Sequence, residues 1–360
     1  MHLTHLEIHQ VRNIQDVKIK PDIRCNYIFG DNASGKTSLL EAIYLLSIAR
    51  SFRTTHIKHV ISHDKQTLRI FARVNKENKL DSIPVGLERS SNKTRIRING
   101  IDVRQISDLT SLLPVQIINP DVHKLLEQGP KYRRQFIDWG VFHVEHKFLF
   151  AWQQYYRVLK QRNAALRTKQ SKKTITLWNE QLIHYAKIIT LSRENYLSAF
   201  LPIFNQYVEK LMGLSVDIIY QRGWNVDLSF TDTLDKSFEK DTFKGFTSAG
   251  PHRADLGIMH SGSLVQNSFS RGQQKLLVCA MRLAQITHLK RETGQQSILL
   301  VDDLAAELDV KHRHNLIDLL VDTQAQLFVT ATEHNSFSLP PEIDFKMFHV
   351  EHGNVKEVVQ

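Results

Sequence analysis

The sequence predicts an α/β protein whose core is interrupted by a long helical segment. An almost unbroken helical pattern runs from Lys131 to Gly213 and contains a single proline, while the regions on both sides are rich in strands. Before this pattern, an apolar strand at 25–29 precedes an apolar-periodic helix; after it, strands and helices alternate. Alternation of this kind is typical of a parallel sheet covered by helices.

Individual elements follow from local patterns. Apolar alternation and short apolar runs predict strands at 3–11, 17–19, 25–29, 68–74, 85–87, 216–220, 256–259, 298–301 and 326–330. Helices are predicted from Lys36, after Gly272 and over 311–321. The dipeptide Asn99-Gly100 lies between two alternating runs, which predicts a two-residue hairpin turn.

The helical segment is predicted to form two long antiparallel helices. A polar, lysine-rich stretch at 168–173 separates its halves. In the second half, large apolar residues recur mostly at alternating steps of four and three, which is the pattern of a seam for a partner helix: Trp178, Leu182, Tyr185, Ile189, Tyr196, Phe200, Ile203 and Tyr207. We therefore predict a core domain made of residues 1–125 and 214–360, with an inserted basic arm at 126–213.

Charge is concentrated in this arm. The chain carries 47 Lys and Arg against 37 Asp and Glu, a net charge of +10, and residues 131–173 alone hold eleven basic and two acidic residues, a net charge of +9. A solvated helical face would explain such a run, but its concentration in one element favours nucleic acid as the partner. The residues predicted to contact phosphates include Arg157, Lys160, Arg162 and Arg167.

Several classes of protein are excluded by composition. The longest apolar runs fall far below the roughly 18 residues that a membrane span needs, and Met1 leads directly into a polar alternation, so we expect no signal peptide. Two cysteines cannot form a disulfide framework. The sequence Phe-His-Val-Glu-His occurs at 142–146 and 348–352 without a longer period, and we expect neither a repeat nor a metal site there. A cytoplasmic protein is expected.

A phosphate-binding loop follows the strand at 25–29. The residues match G-x-x-x-x-G-K-[ST] at every defined position: Gly30, Asp31, Asn32, Ala33, Ser34, Gly35, Lys36 and Thr37. Such a loop directs backbone N–H groups at one anion at the start of a helix. Lys36 is expected to reach the β- and γ-phosphates and Thr37 to bind Mg²⁺. The sequence therefore predicts ATP and Mg²⁺ as ligands.

Two carboxylates complete the predicted site. Asp302 and Asp303 follow the apolar strand at 298–301, which has the form of a buried parallel strand that ends in an active site. Asp302 is expected to hold Mg²⁺, through water, and Asp303 to position or deprotonate the attacking water. Whether the protein acts chiefly as an enzyme, or uses ATP as a conformational switch, stays open.

A third motif, Ser270-x-Gly272-Gln273, lies at the start of the helix before this strand. Taken alone it is a helix cap. Its position upstream of Asp302 resembles the order found in the ABC ATPases, in which Ser-Gly-Gln closes on the ATP of a second subunit. Residues 306–309 (Ala-Glu-Leu-Asp) resemble the dimer-contacting D-loop of that family.

The whole chain resembles the RecF family, in the SMC-like branch of the ABC ATPases. The stretches that carry this resemblance are 120–138 (with Pro120-Asp121, Arg133-Arg134 and Phe136-Ile137-Asp138), 299–309, Gly250-Pro251-His252-Arg253 and Arg12-Asn13. The resemblance implies an ABC-type P-loop head with an inserted helical arm. It implies an ATP-dependent homodimer that clamps double-stranded DNA near single-stranded gaps, acts with RecR and RecO, and helps to load RecA.

The sequence departs from the family pattern at three points, and a fourth family feature has only a candidate. Ala33 and Gln128 stand where the family usually has glycine. We expect the loop to bind nucleotide with alanine at position 33, provided that the φ angle of Ala33 is negative. No histidine directly follows the strand that ends at Thr330. Thr330 or Thr332 is a candidate for the γ-phosphate-sensing position, ahead of His334, and Gln116 is a candidate for the Q-loop glutamine.

Two alternatives remain at this point. The ATPase subunit of a membrane transporter would share the phosphate loop, the Ser-Gly-Gln motif and the carboxylates, but the basic arm argues against it. A structural chromosome protein of the SMC type would need a far longer arm.

Overall fold

The computed structural model describes residues 1–75, 82–303, 310–333 and 344–358. The chain divides into two compact units, one formed by Met1–Val122 and Cys279–Gln360 and the other by His123–Val278. The second unit contains the helical segment together with residues that follow it. The division of the sequence at 125/126 and 213/214 stays a prediction.

The elements run in chain order as follows. The strands are β1 His2–Val11, β2 Ile14–Ile19, β3 Cys25–Phe29, β4 Thr67–Asn75, β5 Ser82–Ser90, β6 Thr94–Ile98, β7 Ile101–Val103, β8 Val115–Ile118, β9 Asp217–Gln221, β10 Asp255–His260, β11 Ser263–Leu264, β12 Ile298–Val301, β13 Gln326–Ala331, β14 Phe345–Glu351 and β15 Asn354–Val358. The helices are α1 Lys36–Ile48, α2 Ile106–Leu112, α3 Lys124–Glu127, α4 Pro130–Val144, α5 Phe148–Arg167, α6 Lys172–Thr176, α7 Asn179–Met212, α8 Phe230–Lys236, α9 Phe238–Lys244, α10 Val265–Ser268, α11 Arg271–Thr293 and α12 Val310–Asp322. Short 3-10 turns cover Ile57–His59 and Pro251–Arg253.

A largely parallel sheet forms the centre of the first unit, with the strand order β15-β14-β3-β13-β12-β8. β14, β3, β13, β12 and β8 are parallel, and β15 joins the edge as an antiparallel strand. The register pairs Phe29 with Ala331, and Val301 with Val329 and Ile118. The carboxyl ends of β3, β12, β13 and β8 therefore meet at one edge, where ligands bind in open α/β sheets.

An antiparallel sheet, β2-β1-β4-β5-β6-β7, is the other layer of this unit. Its hairpin between β6 and β7 has Asn99 at φ 52° and Gly100 at φ 79°, which confirms the predicted two-residue turn. α1 contacts strands of both sheets. Its apolar side chains are consequently buried on almost every side rather than along one face: Leu39, Leu40, Ala42, Ile43, Leu45 and Leu46.

The second unit is built from helices and the small antiparallel sheet β11-β10-β9. α7 packs against α5 and α4, and its predicted seam is buried at Leu182, Ile189, Tyr196, Phe200, Ile203 and Tyr207. The first predicted helix is in fact two, so the expectation of two long helices is wrong. Glu145, with φ −112° and ψ 101°, leaves the helical conformation between α4 and α5. α4 is tied instead to β10, where Arg133 Nε donates to Asp255 Oδ1 at 2.8 Å.

Among the described residues, none of the helices has the length and apolar character required to cross a bilayer. Cys25 and Cys279 are both buried.

Candidate nucleotide-binding site

The predicted phosphate-binding loop lies between β3 and α1, at the carboxyl edge of the parallel sheet. Gly30 has φ 150° and Gly35 has φ 125°. A Cβ atom at Gly30 would lie 2.2 Å from the carbonyl oxygen of Val350, so no side chain fits there. These glycines let the backbone turn sharply enough to present its N–H groups at the start of α1.

Ala33 occupies the left-handed region, with φ 64°. The expectation that Ala33 has a negative φ angle is therefore wrong. Left-handed backbone costs an L-residue about 1–2 kcal/mol, a cost that glycine avoids. Sequence reasoning could not detect this, because φ is set by the closed geometry of the loop and not by the alanine itself.

Lys36 points back into the loop. Its ammonium donates hydrogen bonds to the carbonyl oxygens of Gly30 at 2.6 Å and Asp31 at 2.9 Å. Burial lowers the pKa of Lys36, and the nearby carboxylates of Asp303 and Asp302 oppose that shift. Beside it, Ser34 Oγ is buried with no hydrogen-bond partner among the described residues. A buried ammonium and an unpaired buried hydroxyl inside a ring of backbone N–H groups fit a polyphosphate.

The loop is held from outside by Asn13. Asn13 Nδ2 donates to the carbonyl oxygen of Ser34 at 2.9 Å, and its Oδ1 accepts from Ser38 Oγ at 2.9 Å. The neighbouring Arg12 donates from Nε to Oε2 of Glu41, a fully buried residue of α1, at 2.8 Å. Sequence reasoning singled out Arg12-Asn13 only through the family resemblance; the structure shows that the pair fixes the loop and the helix after it.

Thr37 and Asp302 are brought together. Asp302 Oδ1 accepts hydrogen bonds from Thr37 Oγ1 at 3.0 Å and from Thr330 Oγ1 at 2.9 Å. Burial raises the pKa of Asp302, although the hydrogen bonds from Thr330 and Thr37 oppose the shift. A hydroxyl and a buried carboxylate beside a phosphate-binding loop form the donor set that suits Mg²⁺.

Asp303 stands beside this pair in a left-handed conformation, with φ 46°, and its backbone N–H donates to Thr330 Oγ1 at 3.0 Å. The Thr330 hydroxyl links the two aspartates, since it donates to Asp302 Oδ1 and accepts from Asp303 N. Thr330 is fully buried, whereas Thr332 is exposed. Between the two threonine candidates for the γ-phosphate-sensing position, Thr330 is the one whose hydroxyl is hydrogen-bonded to Asp302. His334 and the D-loop-like residues 306–309 lie outside the described residues.

Gln116 does not lie at the edge where the phosphate loop opens. It pairs with Leu299 in the middle of β8, two residues before the strand ends. Its Nε2 donates to Gln285 Oε1 at 3.0 Å, and its Oε1 accepts from Arg282 Nη1 at 2.7 Å. Because this buried amide is committed to α11, we withdraw it as a Q-loop candidate. The residue that directly follows β8 is Asn119, which sequence reasoning did not consider.

Ser270, Gly272 and Gln273 are exposed at the N-terminal end of α11. Gln273 N donates to Ser270 Oγ at 3.3 Å, and Gln273 Oε1 accepts from Ser270 N at 2.9 Å. This reciprocal pair is a capping box. The helix cap predicted as the simpler role of this motif is therefore present. The start of α11 is nevertheless exposed to solvent.

The basic residues of 131–173 separate into two groups. Arg162 is fully buried, where Nη1 donates to Asp241 Oδ2 at 3.1 Å, and it is removed from the predicted phosphate contacts. Arg133 is buried and Arg134 half-buried, with Arg134 Nη1 donating to the carbonyl oxygen of Ala254 at 2.7 Å. The other eight are exposed: Lys131, Lys147, Arg157, Lys160, Arg167, Lys169, Lys172 and Lys173.

The stretch 250–253 is a structural element of the second unit. Tyr155 Oη lies 2.7 Å from His252 Nδ1, and Arg193 Nη1 donates to the carbonyl oxygen of Pro251 at 2.8 Å. A Cβ atom at Gly250 would lie 2.4 Å from Tyr155 Oη. Burial lowers the pKa of His252 to about 4, so the imidazole is neutral near pH 7 and suited to a packed interior.

A phosphate loop that opens at the carboxyl edge of a parallel sheet, a magnesium-type Thr–Asp pair and an inserted set of helices define a P-loop ATPase head of the SMC type. Residues 2–356 match the family model described as RecF/RecN/SMC N terminal domain. The chain belongs to the RecF family, as its similarity to curated relatives shows. It is 43% identical over 362 residues to the DNA replication and repair protein RecF of Cellvibrio japonicus, and 42% identical over 361 residues to that of Shewanella piezotolerans, with 99% of each chain covered in both cases.

Solved structures agree with this assignment. The structure of the recombination mediator protein RecF-ATPrS in the RecFOR pathway matches with a TM-score of 0.87 at 25% identity, covering 99% of this chain and 98% of that one. An Smc head bound to the C-terminal winged-helix domain of ScpA matches with a TM-score of 0.58 at 16% identity, covering 99% and 97%. The second likeness shows the shared fold alone. The predicted ABC-type head with an inserted antiparallel arm is confirmed.

Proposed function

We propose that this protein is an ATP-controlled DNA-binding protein of DNA replication and recombinational repair. The observation that carries the proposal is the convergence of Thr37, Asp302 and Thr330 beside the phosphate loop. The relatives named above, which are called DNA replication and repair proteins, and the RecF-ATPrS structure of the RecFOR pathway support it.

In this proposal the residues of the loop divide the work of binding ATP. The backbone of residues 30–37 and the Lys36 ammonium hold the phosphates, with Ser34 Oγ as a further donor. Thr37 and Asp302 hold Mg²⁺, which when bound would neutralise phosphate charge. Asp303 orients the attacking water, and its short side chain beside a strained backbone favours slow hydrolysis that serves as a reset.

ATP binding is proposed to control the protein by joining it to a second copy of the chain. The exposed start of α11, with Ser270, Gly272 and Gln273, would close on the ATP of the partner and so make dimerisation depend on ATP. The dimer would hold double-stranded DNA near single-stranded gaps, using the exposed cations of the arm. RecR and RecO, and RecA through its loading, are the proposed partners, in the cytoplasm.

The transporter alternative gains no support from these similarities, since the relatives and structures named above are RecF proteins and an Smc head.

Sedimentation velocity with and without ATP and Mg²⁺ tests the proposal. The protein is expected to sediment as a dimer with ATP and as a monomer without it. Lys36→Met removes the one ammonium in the loop and Lys36→Arg cannot fit its planar fork there, so neither variant should dimerise. Lys65→Met, which removes an exposed charge from the same unit, is the control. ATP binding and dimerisation that survive in Lys36→Met would refute the assignment of the loop.

A further inference from the structure

An exposed aromatic side chain on the second unit is left unused by the proposed function. Phe243, near the end of α9, is 92% exposed, more than any other large hydrophobic residue for which exposure is described. The half-buried Phe246 follows three residues later. We call Phe243, Phe246 and the three cations around them, Arg167, Lys244 and Arg253, the aromatic platform.

Two of the three cations lie over the Phe246 ring, and the third lies against Gly245, between Phe243 and Phe246 in the sequence. Lys244 Nζ is 5.9 Å from the ring centroid of Phe246, and the Arg253 guanidinium carbon is 5.1 Å from the same centroid. The Arg167 side chain packs against Gly245, where its Cγ would lie 3.1 Å from an added Cβ. All three are exposed, and within the described part of the chain no carboxylate forms a salt bridge with them. The platform is therefore apolar at its centre and positively charged around it.

The platform is rigid, because its backbone is anchored in the interior. Asp241 is fully buried and accepts hydrogen bonds from Arg162 Nη1 at 3.1 Å and from Ser248 N at 2.9 Å. Phe246 N donates to the Asp241 carbonyl oxygen at 3.2 Å, and Thr247 N donates to Asn163 Oδ1 at 2.8 Å. Phe243 is thus held in solvent by an ordered segment and does not depend on a loose loop for its exposure.

We propose that the aromatic platform stacks an unpaired base of single-stranded DNA, with Phe243 as the stacking surface. Aromatic rings flanked by cations are how proteins bind single strands without sequence preference, since every base has a flat π-face and every nucleotide a phosphate. Bases of an intact duplex are stacked on each other and cannot use such a ring. The positive charge around the platform suits the phosphates of a nucleic acid and argues against a basic or purely apolar protein surface. The inference rests on the proposed function, in that it assumes that the protein binds DNA.

Equilibrium titration with three fluorescent DNAs tests the proposal: a blunt duplex, the same duplex with a single-stranded tail, and the tail alone with 2-aminopurine. Phe243→Ala is expected to weaken binding of the tailed duplex and of the tail about tenfold, while leaving the blunt duplex unchanged. Phe243→Trp should restore affinity and quench 2-aminopurine. Phe150→Ala, which removes another exposed ring of the same unit (60% exposed), is the matched control and should change nothing.

Each other outcome overturns the stacking role. Equal losses on blunt and tailed DNA would make Phe243 a duplex contact. Unchanged affinity of Phe243→Ala for all three DNAs would show that Phe243 does not bind DNA, and a protein partner would then be the remaining occupant of the platform. If the unaltered protein bound none of the DNAs, the proposed function would fail before the platform was tested, so the two failures are distinguishable.

Discussion

The hydroxyl of Thr37 and the carboxylate of Asp302, 265 residues apart in the sequence, are joined by a hydrogen bond of 3.0 Å. The parallel sheet produces this contact, because β3 and β12 are both neighbours of β13 and end at the same edge. Thr330, at the end of β13, donates to the same carboxylate oxygen at 2.9 Å. The sheet therefore brings together the hydroxyl and the carboxylate that the proposed function assigns to Mg²⁺.

Asp302→Asn is expected to separate stability from activity. Between the ordinary aspartate pKa and the raised pKa of Asp302, the unfolded chain loses its proton while the folded chain keeps it, so stability falls as pH rises through that window. Asparagine removes this cost and still accepts from Thr37 and Thr330. We expect the Tm at pH 7 to be equal or higher, and Mg²⁺-dependent hydrolysis to fall by roughly two orders of magnitude. A lower Tm with unchanged hydrolysis would contradict the assigned role.

Substitutions at Ala33 test its left-handed backbone. Ala33→Val puts a β-branched side chain at φ 64° and should weaken ATP binding about five- to thirtyfold, the equivalent of about 1–2 kcal/mol. Ala33→Gly removes the steric cost and should keep the affinity of the unaltered protein or improve it. Calorimetric ATP titration measures both. Tighter binding by the valine variant than by the glycine variant would show that the loop does not require the left-handed conformation.

Ser270→Arg separates a helix cap from a contact with the partner's nucleotide. Ser270→Ala loses the capping box and should cost about 1 kcal/mol of stability. Ser270→Arg loses the same cap and also places a bulky cation at the exposed helix start, so it should bind ATP but neither dimerise nor hydrolyse it.

Sedimentation and ATP turnover are compared for both variants. Mixing Ser270→Arg with Lys36→Met protomers leaves one intact composite site per mixed dimer and should restore part of the dimer. Normal ATP-dependent dimerisation and hydrolysis by Ser270→Arg alone would refute the proposal that Ser270 contacts the nucleotide of the partner copy.

The charge of the arm is expected to act through its exposed members. Replacing Arg157, Lys160 and Lys169 by Gln should weaken duplex binding uniformly across sequences and flatten the slope of log K against log salt by about 0.9 for each phosphate that is no longer neutralised. Arg162→Gln should instead leave Asp241 buried without its partner and destabilise the fold by about 3–5 kcal/mol in denaturant unfolding. An unchanged salt slope in the triple variant would show that these cations form a solvated helical face and do not contact phosphates.

Local sequence patterns sufficed for much of the fold. The apolar run 298–301 is a strand with those bounds, and Asn99-Gly100 forms the turn that its composition requires. Both features are decided by neighbouring residues: an apolar strand needs burial, and a two-residue turn needs positive φ at both positions. The phosphate loop was likewise visible, because its glycines and lysine are consecutive.

Features set by distant contacts could not be predicted in the same way. Arg162 reads as one more cation of the arm until Asp241, 79 residues later, is seen beside it. Arg133 of α4 is paired with Asp255 of β10, 122 residues later, and Gln116 is fixed by residues of α11. In each case a partner far away in the sequence decides the role of the side chain.

The central claim, that ATP controls DNA binding through the loop at residues 30–37, is tested most directly by one titration. Affinity for a duplex with a single-stranded tail is measured against salt concentration, with and without ATP and Mg²⁺, for the unaltered protein and Lys36→Met. We expect ATP to raise the affinity of the unaltered protein and to leave that of Lys36→Met unchanged. Equal affinity with and without ATP in the unaltered protein, or an equal response in both proteins, would contradict the claim.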